Sequence, residues 1–168
     1  MKLVAAWMVV LFGAGGSFTS IDLLRAFRVQ LPKIHRATSV PVLLPRTMPL
    51  GGRENFRVYA TGGATRKGWD LELSAAPRCG AATACFIASF VAERGGKLPR
   101  LSRRANLRLA TGDPAVFHGI SCGASCAPAS LWFRHGGVLY EWQFKDPPKN
   151  TRKVMARLAA AAIRAGAR

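Results

Sequence analysis

The chain has 168 residues, of which 25 are Lys or Arg and 8 are Asp or Glu, so its formal net charge is +17. Hydrophobic residues make up 49% of the sequence, and this share excludes a disordered basic tail, which would lack side chains to bury. The length suggests one domain with a core of its own and is too short for two such domains.

A secretory signal peptide is predicted over residues 1–16. Lys2 supplies the positive start, residues 3–12 are continuously apolar, and Ala14 and Gly16 have the spacing of a signal-peptidase site. The apolar stretch is shorter than the roughly 20 residues that span a bilayer; an uncleaved anchor is the alternative. Export predicts a periplasmic or secreted protein.

Residues 17–49 form a separate N-terminal segment. Residues 21–31 can form a short amphipathic helix, with Ser20 as its N-cap and Pro32 as its stop. Residues 40–49 contain three prolines, which exclude a helix and a central strand. We expect this proline-rich stretch to run extended along an edge of the fold.

Residues 50–168 contain short segments in which apolar and polar residues alternate, as they do in the strands of a sheet. Trp69, Leu71 and Leu73 alternate with polar residues, and the pair Gly62-Gly63 before them suggests a hairpin turn. Strands are predicted at residues 55–60, 69–74, 85–93, 105–110 and 115–121, and a final hairpin joins residues 130–134 to residues 138–145. The strand at residues 85–93 is apolar on both faces and is therefore expected at the centre of the sheet.

A C-terminal helix is predicted over residues 151–165, with Asn150 as its cap. Its apolar stripe is expected to pack on the aromatic face of the preceding hairpin; a helix lying on a membrane surface is the alternative. Strands followed by a terminal helix predict an α+β fold, a single antiparallel sheet with a C-terminal amphipathic helix packed on one face.

Four cysteines, Cys79, Cys85, Cys122 and Cys126, follow the predicted signal peptide. An even number in an exported chain predicts two disulfides. Of the three connectivities, the two local pairs are preferred because each pair flanks small, turn-prone residues. Zinc is the alternative, but structural zinc sites place about two to four residues between paired ligands, and the first pair here encloses five. We expect no metal and no cofactor.

The proline-rich segment, the cysteine pairs and the ending Trp132, Gly136 and Tyr140 before a helix resemble exported bacterial domains of unknown function. In those domains a proline-rich segment precedes a sheet closed by a C-terminal helix. The resemblance implies the same fold and carries no implied activity.

No catalytic residue is predicted. Ser121 lies in a G-x-S-x-G match, but an α/β-hydrolase needs an acid and then a His later in the chain, whereas His135 precedes Glu141 and Asp146. Asp70 and Glu72 share the polar face of one strand, and pairing with nearby Arg is expected there.

The basic residues are 18 Arg and 7 Lys, and no five of them are consecutive. A coding preference for Arg explains part of the charge, and a nucleic-acid-binding arm usually shows a denser block, so no nucleic acid is expected. The candidate binding residues are the two densest local groups: Arg100, Arg103, Arg104, Arg152, Lys153 and Arg157.

These observations predict an exported binding module that presents an Arg-rich surface to an anionic envelope component or an acidic protein partner, with possible peripheral membrane contact. An exported hydrolase with an unrecognised site and a structural subunit of an envelope complex are the alternatives.

Overall fold

A computed structural model describes residues 20–50, 57–77, 79, 84–99, 106–123 and 125–168. The predicted signal peptide and the candidate residues Arg100, Arg103 and Arg104 lie outside the described residues. The elements are β1 Ser20–Asp22, α1 Leu23–Ala26, α2 Leu31–Ala37, β2 Thr47–Pro49, β3 Tyr59–Thr65, β4 Gly68–Ser74, β5 Phe86–Arg94, β6 Asn106–Arg108, β7 Pro114–His118, β8 Ser121–Cys122, β9 Cys126–Ala127, β10 Ala129–His135, β11 Val138–Phe144 and α3 Thr151–Ala165.

A seven-stranded antiparallel sheet forms the centre of the fold, in the order β3-β4-β5-β11-β10-β7-β6. The first three strands form one meander, and the last strand of the chain, β11, returns to pair with β5 in the middle. The predicted α+β class and central position of β5 are confirmed.

The prediction of a single sheet is wrong, because the described residues also form two small two-stranded sheets, β1–β2 and β8–β9. Prolines 41, 45 and 49 leave only a three-residue stretch of the proline-rich segment paired with β1. The β8–β9 pair is a short hairpin closed by the Cys122–Cys126 disulfide.

One face of the large sheet is apolar and buried. Phe90 lies at its centre, with ring centroids 5.6 Å from Trp142 and 5.9 Å from Phe144, and Phe27 of the α1 segment packs edge-on against it at 6.1 Å. Phe133 continues the cluster on the next strand. This inner face therefore carries the helices and the core of the domain.

The N-terminal helix predicted over residues 21–31 is wrong in its bounds. Ser20 lies in β1, and Asp22 caps α1 by accepting a hydrogen bond from the Arg25 backbone N–H at 3.0 Å. Pro32 lies at the start of α2 instead of ending a helix, because proline lacks an N–H that the first helical turn leaves unbonded in any case.

The hairpin turn predicted at Gly62-Gly63 is also misplaced, because both glycines lie within β3 and the turn falls at Arg66-Lys67. A Cβ atom on Gly62 would lie 2.6 Å from the backbone oxygen of Asp70. Glycine at this position therefore allows the neighbouring strand to approach closely and does not form a turn.

The C-terminal hairpin and helix are confirmed. Gly136 and Gly137 form the turn with φ values of 56° and 77°, and α3 buries Met155 and Ala159 in the same core as the inner-face aromatic residues. Asn150 precedes the helix as predicted but has φ 62° and makes no capping hydrogen bond with its side chain. None of the helices in the described part of the chain has the length and apolar character of a membrane span.

Candidate functional site

A cleft of about 760 Å³ lies between the N-terminal turn of α3 and the β6–β7 end of the sheet. Its walls come from two regions, residues 107–120 and residues 150–157, which the fold brings together. Ligand-binding clefts typically have volumes of about 300–1,000 Å³. The cleft therefore has the size of a small-molecule site.

The floor of the cleft continues the inner face of the sheet beyond the part covered by α3. Phe117 lies opposite Leu131 in the β7–β10 register, and Leu107 lies opposite Ala115 in the β6–β7 register. Both Phe117 and Leu107 are only partly buried. The floor and adjoining wall are apolar, formed by Leu107, Ala110, Phe117, Ile120 and Ala156.

The rim of the cleft carries three of the six predicted binding residues, Arg152, Lys153 and Arg157. All three are exposed. Lys153 and Arg157 are four residues apart and therefore share one side of the helix. The structure thus places half of the predicted set around one cavity.

The N-terminal end of α3 adds to the positive potential of this rim. The first turn contains no acidic residue, and Asn150 contributes no side-chain cap. A helix N-terminus carries a partial positive charge, which acidic residues usually offset. Here Lys153 adds positive charge in the first turn, so this end of the helix favours an anion.

A second, more polar concavity on the helical side is lined in part by Arg25, Arg28 and Arg57. The Arg57 guanidinium lies 5.6 Å from the centre of the Tyr59 ring, which is the geometry of a cation–π contact. The helical side of the domain is therefore basic beyond the cleft itself.

The opposite, outer face of the sheet is rich in acidic residues over β4, β5 and β11. Four of the eight acidic residues alternate onto it: Asp70, Glu72, Glu93 and Glu141. Among the described residues, none of these carboxylates lies within 4.0 Å of a Lys or Arg nitrogen. The Arg pairing expected for Asp70 and Glu72 is therefore not found.

Burial of Glu72, with the neighbouring Asp70 charge as a smaller cause, raises the pKa of the Glu72 carboxyl. The two carboxylates lie on the same face of one strand, so their like charges repel each other. The acids therefore lie together on the β4, β5 and β11 part of the open sheet face, which also carries Arg134 of β10 and Arg108 of β6, whereas cations border the cleft on the helical side.

Ser121 does not form a hydrolase elbow. It is exposed in β8 and is followed by the β8–β9 hairpin instead of a helix. His135 contacts Asp113, with its Nδ1 3.0 Å from the carboxylate, and Thr111 donates to the other carboxylate oxygen at 2.6 Å. This pair joins the turn before β7 to the end of β10.

The two disulfides have the preferred local connectivity, Cys79–Cys85 and Cys122–Cys126. The second closes the loop that follows Ile120 on the wall of the cleft. Disulfides of this kind persist outside the reducing cytoplasm. The described side chains include no group of three or more His, Cys, Asp or Glu residues suited to a metal ion.

The apolar residues of the floor and wall are the part of the site that the sequence did not reveal. Ile120 gave a weak signal, because it is a large apolar residue beside Gly119 in a connecting segment, and its side chain is 50% exposed.

Comparison with family models, curated proteins and solved structures finds no match for the chain.

Proposed function

We propose that this protein is an exported, disulfide-stabilised binding module that holds an anionic component of the cell envelope against the helical side of its sheet. The observation that carries the proposal is the placement of Arg152, Lys153 and Arg157 on the rim of one apolar cleft. The signal-peptide pattern of residues 1–16 and the two disulfides support export.

The positions of the acids support a defined orientation on the partner. A negatively charged surface attracts the rim of the cleft and repels the β4, β5 and β11 part of the outer sheet face, which carries Asp70, Glu72, Glu93 and Glu141. At physiological ionic strength the Debye length is about 8 Å. Local charge therefore decides which side of the domain meets an anionic surface, while the net charge of +17 favours approach.

The test compares two variants with the same loss of charge. One replaces Arg152, Lys153 and Arg157 with Gln, and the matched control replaces the exposed Lys33, Arg36 and Arg66 with Gln. Each basic residue near an anionic membrane contributes about 1 kcal/mol. We expect the rim variant to bind vesicles rich in anionic phospholipid about a hundredfold more weakly, and the control to lose much less.

Co-sedimentation at low and high salt provides the measurement. Binding should weaken as salt rises, and vesicles of zwitterionic lipid alone should not retain the protein. Gln substitution of Arg100, Arg103 and Arg104 tests the other half of the predicted set. Binding at low salt that is unchanged after removal of all six residues would refute the proposal.

A further inference from the structure

We infer that the cleft binds one acyl chain ending in an anionic head group, with the chain on the apolar floor and the head group at the N-terminal turn of α3. This inference rests on the proposed function, because it names the class of anionic ligand held by the same surface. It adds that the ligand is an individual amphiphile seated in the cleft and not only a charged surface beneath the domain.

The floor favours a hydrocarbon chain over a polar ligand. The side chains of Leu107, Phe117, Ile120 and Ala156 offer no hydrogen-bond donor or acceptor to the space they line. A sugar or nucleotide placed there would lose its hydrogen bonds to water without replacement, which is costly. An acyl chain has no such groups to satisfy and gains from leaving water.

The rim supplies the complement for a negatively charged head group. Lys153 and Arg157 lie on one side of α3 and border the apolar floor. The helix N-terminus beside them is not neutralised by an acidic residue in its first turn. Positive charge is thus concentrated on the helical wall of the cleft, whereas Leu107 and Phe117 form the sheet side.

The exposure of Ile120 agrees with a ligand that covers it. At 50% exposure it is one of two large hydrophobic side chains exposed among the described residues, and it lies on the wall of the cleft. The Cys122–Cys126 disulfide constrains the chain immediately after it. An acyl chain on the floor would remove this apolar surface from water.

The first experiment measures binding of saturated fatty acids of increasing chain length to the purified full chain by calorimetry, below their micellar concentrations. Each added methylene group that enters the cleft should strengthen binding by up to about fourfold, until the floor is filled. The matching straight-chain alcohols serve as neutral probes. They should bind about tenfold more weakly, because they lack the head-group charge.

The second experiment uses matched variants of α3. Ala156→Leu fills the cleft from its wall, whereas Ala161→Leu places the same side chain at an exposed position outside it. Both keep a strong helix former, and circular dichroism is used to check that both variants are folded. We expect Ala156→Leu to shift the longest tightly bound chain to a shorter one and Ala161→Leu to leave the series unchanged.

A double variant, Lys153→Gln with Arg157→Gln, should reduce fatty-acid affinity about tenfold and leave alcohol affinity unchanged. Amide chemical shifts should change in residues 117–120 and 150–157 when fatty acid is added. If anionic vesicles retain the protein but no fatty acid binds, this inference fails while the proposed function stands. Equal fatty-acid binding by Ala156→Leu and Ala161→Leu would also overturn it.

Discussion

Tyr140 and Trp69 donate hydrogen bonds to the same backbone carbonyl, that of Pro41, at 3.1 Å from the phenol oxygen and 3.2 Å from the indole nitrogen. Both side chains lie on the inner face of the sheet, and their ring centroids are 6.3 Å apart. Burial raises the pKa of Tyr140 to about 12, so the phenol remains a donor at neutral pH. The two residues therefore fasten the proline-rich segment to the sheet.

Replacing Tyr140 with Phe should lower the free energy of unfolding by about 1 kcal/mol, the usual net value of one hydrogen bond. The loss is moderate because Trp69 still donates to the Pro41 carbonyl and the Phe ring keeps its packing. Urea denaturation measures the change. A double-mutant cycle with Trp69→Phe should show coupling between the two donors, since the double variant leaves the carbonyl unbonded; strict additivity would contradict the shared role.

The two disulfides should differ in their response to reductant. Cys122 and Cys126 are exposed, whereas Cys79 is only 8% exposed. Access of a thiolate limits exchange, so a low concentration of reductant should open Cys122–Cys126 first. Differential alkylation followed by mass spectrometry identifies the order, and without reductant no free thiol should be found. Two free thiols in the untreated protein would contradict one of the two assignments, and four would contradict both.

Loss of either bridge should have a limited effect on stability. In the chain-entropy description, closing loops of six and four residues contributes about 2 kcal/mol each. Replacing Cys122 and Cys126 together with Ser should therefore lower the free energy of unfolding by about that amount and leave the large sheet intact. Near-ultraviolet circular dichroism of the core aromatic residues provides the check on the sheet.

The Asp113–His135 contact predicts an acid-sensitive contribution to stability. Burial opposes ionisation of Asp113, but hydrogen bonds from Thr111 and His135 outweigh it and lower the pKa of the carboxyl from its ordinary value of 3.8. A lowered pKa means that the stabilisation is complete above pH 3.8 and is lost as the pH falls through the folded-state pKa of Asp113. Asp113→Asn should cost about 1 kcal/mol at neutral pH, and the difference should shrink in acid.

Denaturation of both proteins across the acid range measures this difference. A constant gap between the native protein and Asp113→Asn at all pH values would show that the charge of Asp113 is irrelevant. The conservative variant Thr111→Ser serves as a control, because it retains a hydroxyl donor to the carboxylate.

Glu72→Gln should stabilise the domain at neutral pH by about 0.5 kcal/mol. Burial and then Asp70 raise the pKa of Glu72, so the folded state holds this proton more tightly than the unfolded chain. Stability consequently falls as pH rises from the ordinary value of 4.5 through the folded-state pKa. Thermal unfolding should show the gain for Glu72→Gln at neutral pH and none below 4.5; a loss at neutral pH would contradict this reading.

The last hairpin and α3 were predictable because local signals agree there. Val138, Tyr140, Trp142 and Phe144 alternate strictly, the preceding Gly-Gly pair meets the turn geometry, and the helical stripe follows at once. The N-terminal segment was harder to predict, because Pro32 suits both the stop of one helix and the start of the next. The path of the N-terminal segment is determined by tertiary hydrogen bonds to the Pro41 carbonyl, which no local sequence pattern predicts.

The candidate site was likewise predictable from the sequence only in part. Arg152, Lys153 and Arg157 are close in sequence, so their clustering was visible from charge alone. The floor was not, because Leu107 and Phe117 reach the helix only through the order of strands in the sheet. The acidic cluster on the outer face likewise depends on register, which places Asp70 of β4 and Glu141 of β11 on either side of Val91.

Hydrogen–deuterium exchange of the full chain with and without anionic vesicles tests the central claim most directly, because it reports which side of the domain meets the anionic partner. We predict slower exchange in residues 117–120 and 150–157 when vesicles are present, with no change in β4 and β11, whose Asp70 and Glu141 side chains lie on the outer face of the sheet. Protection of β4 and β11, with the cleft residues unaffected, would contradict the account.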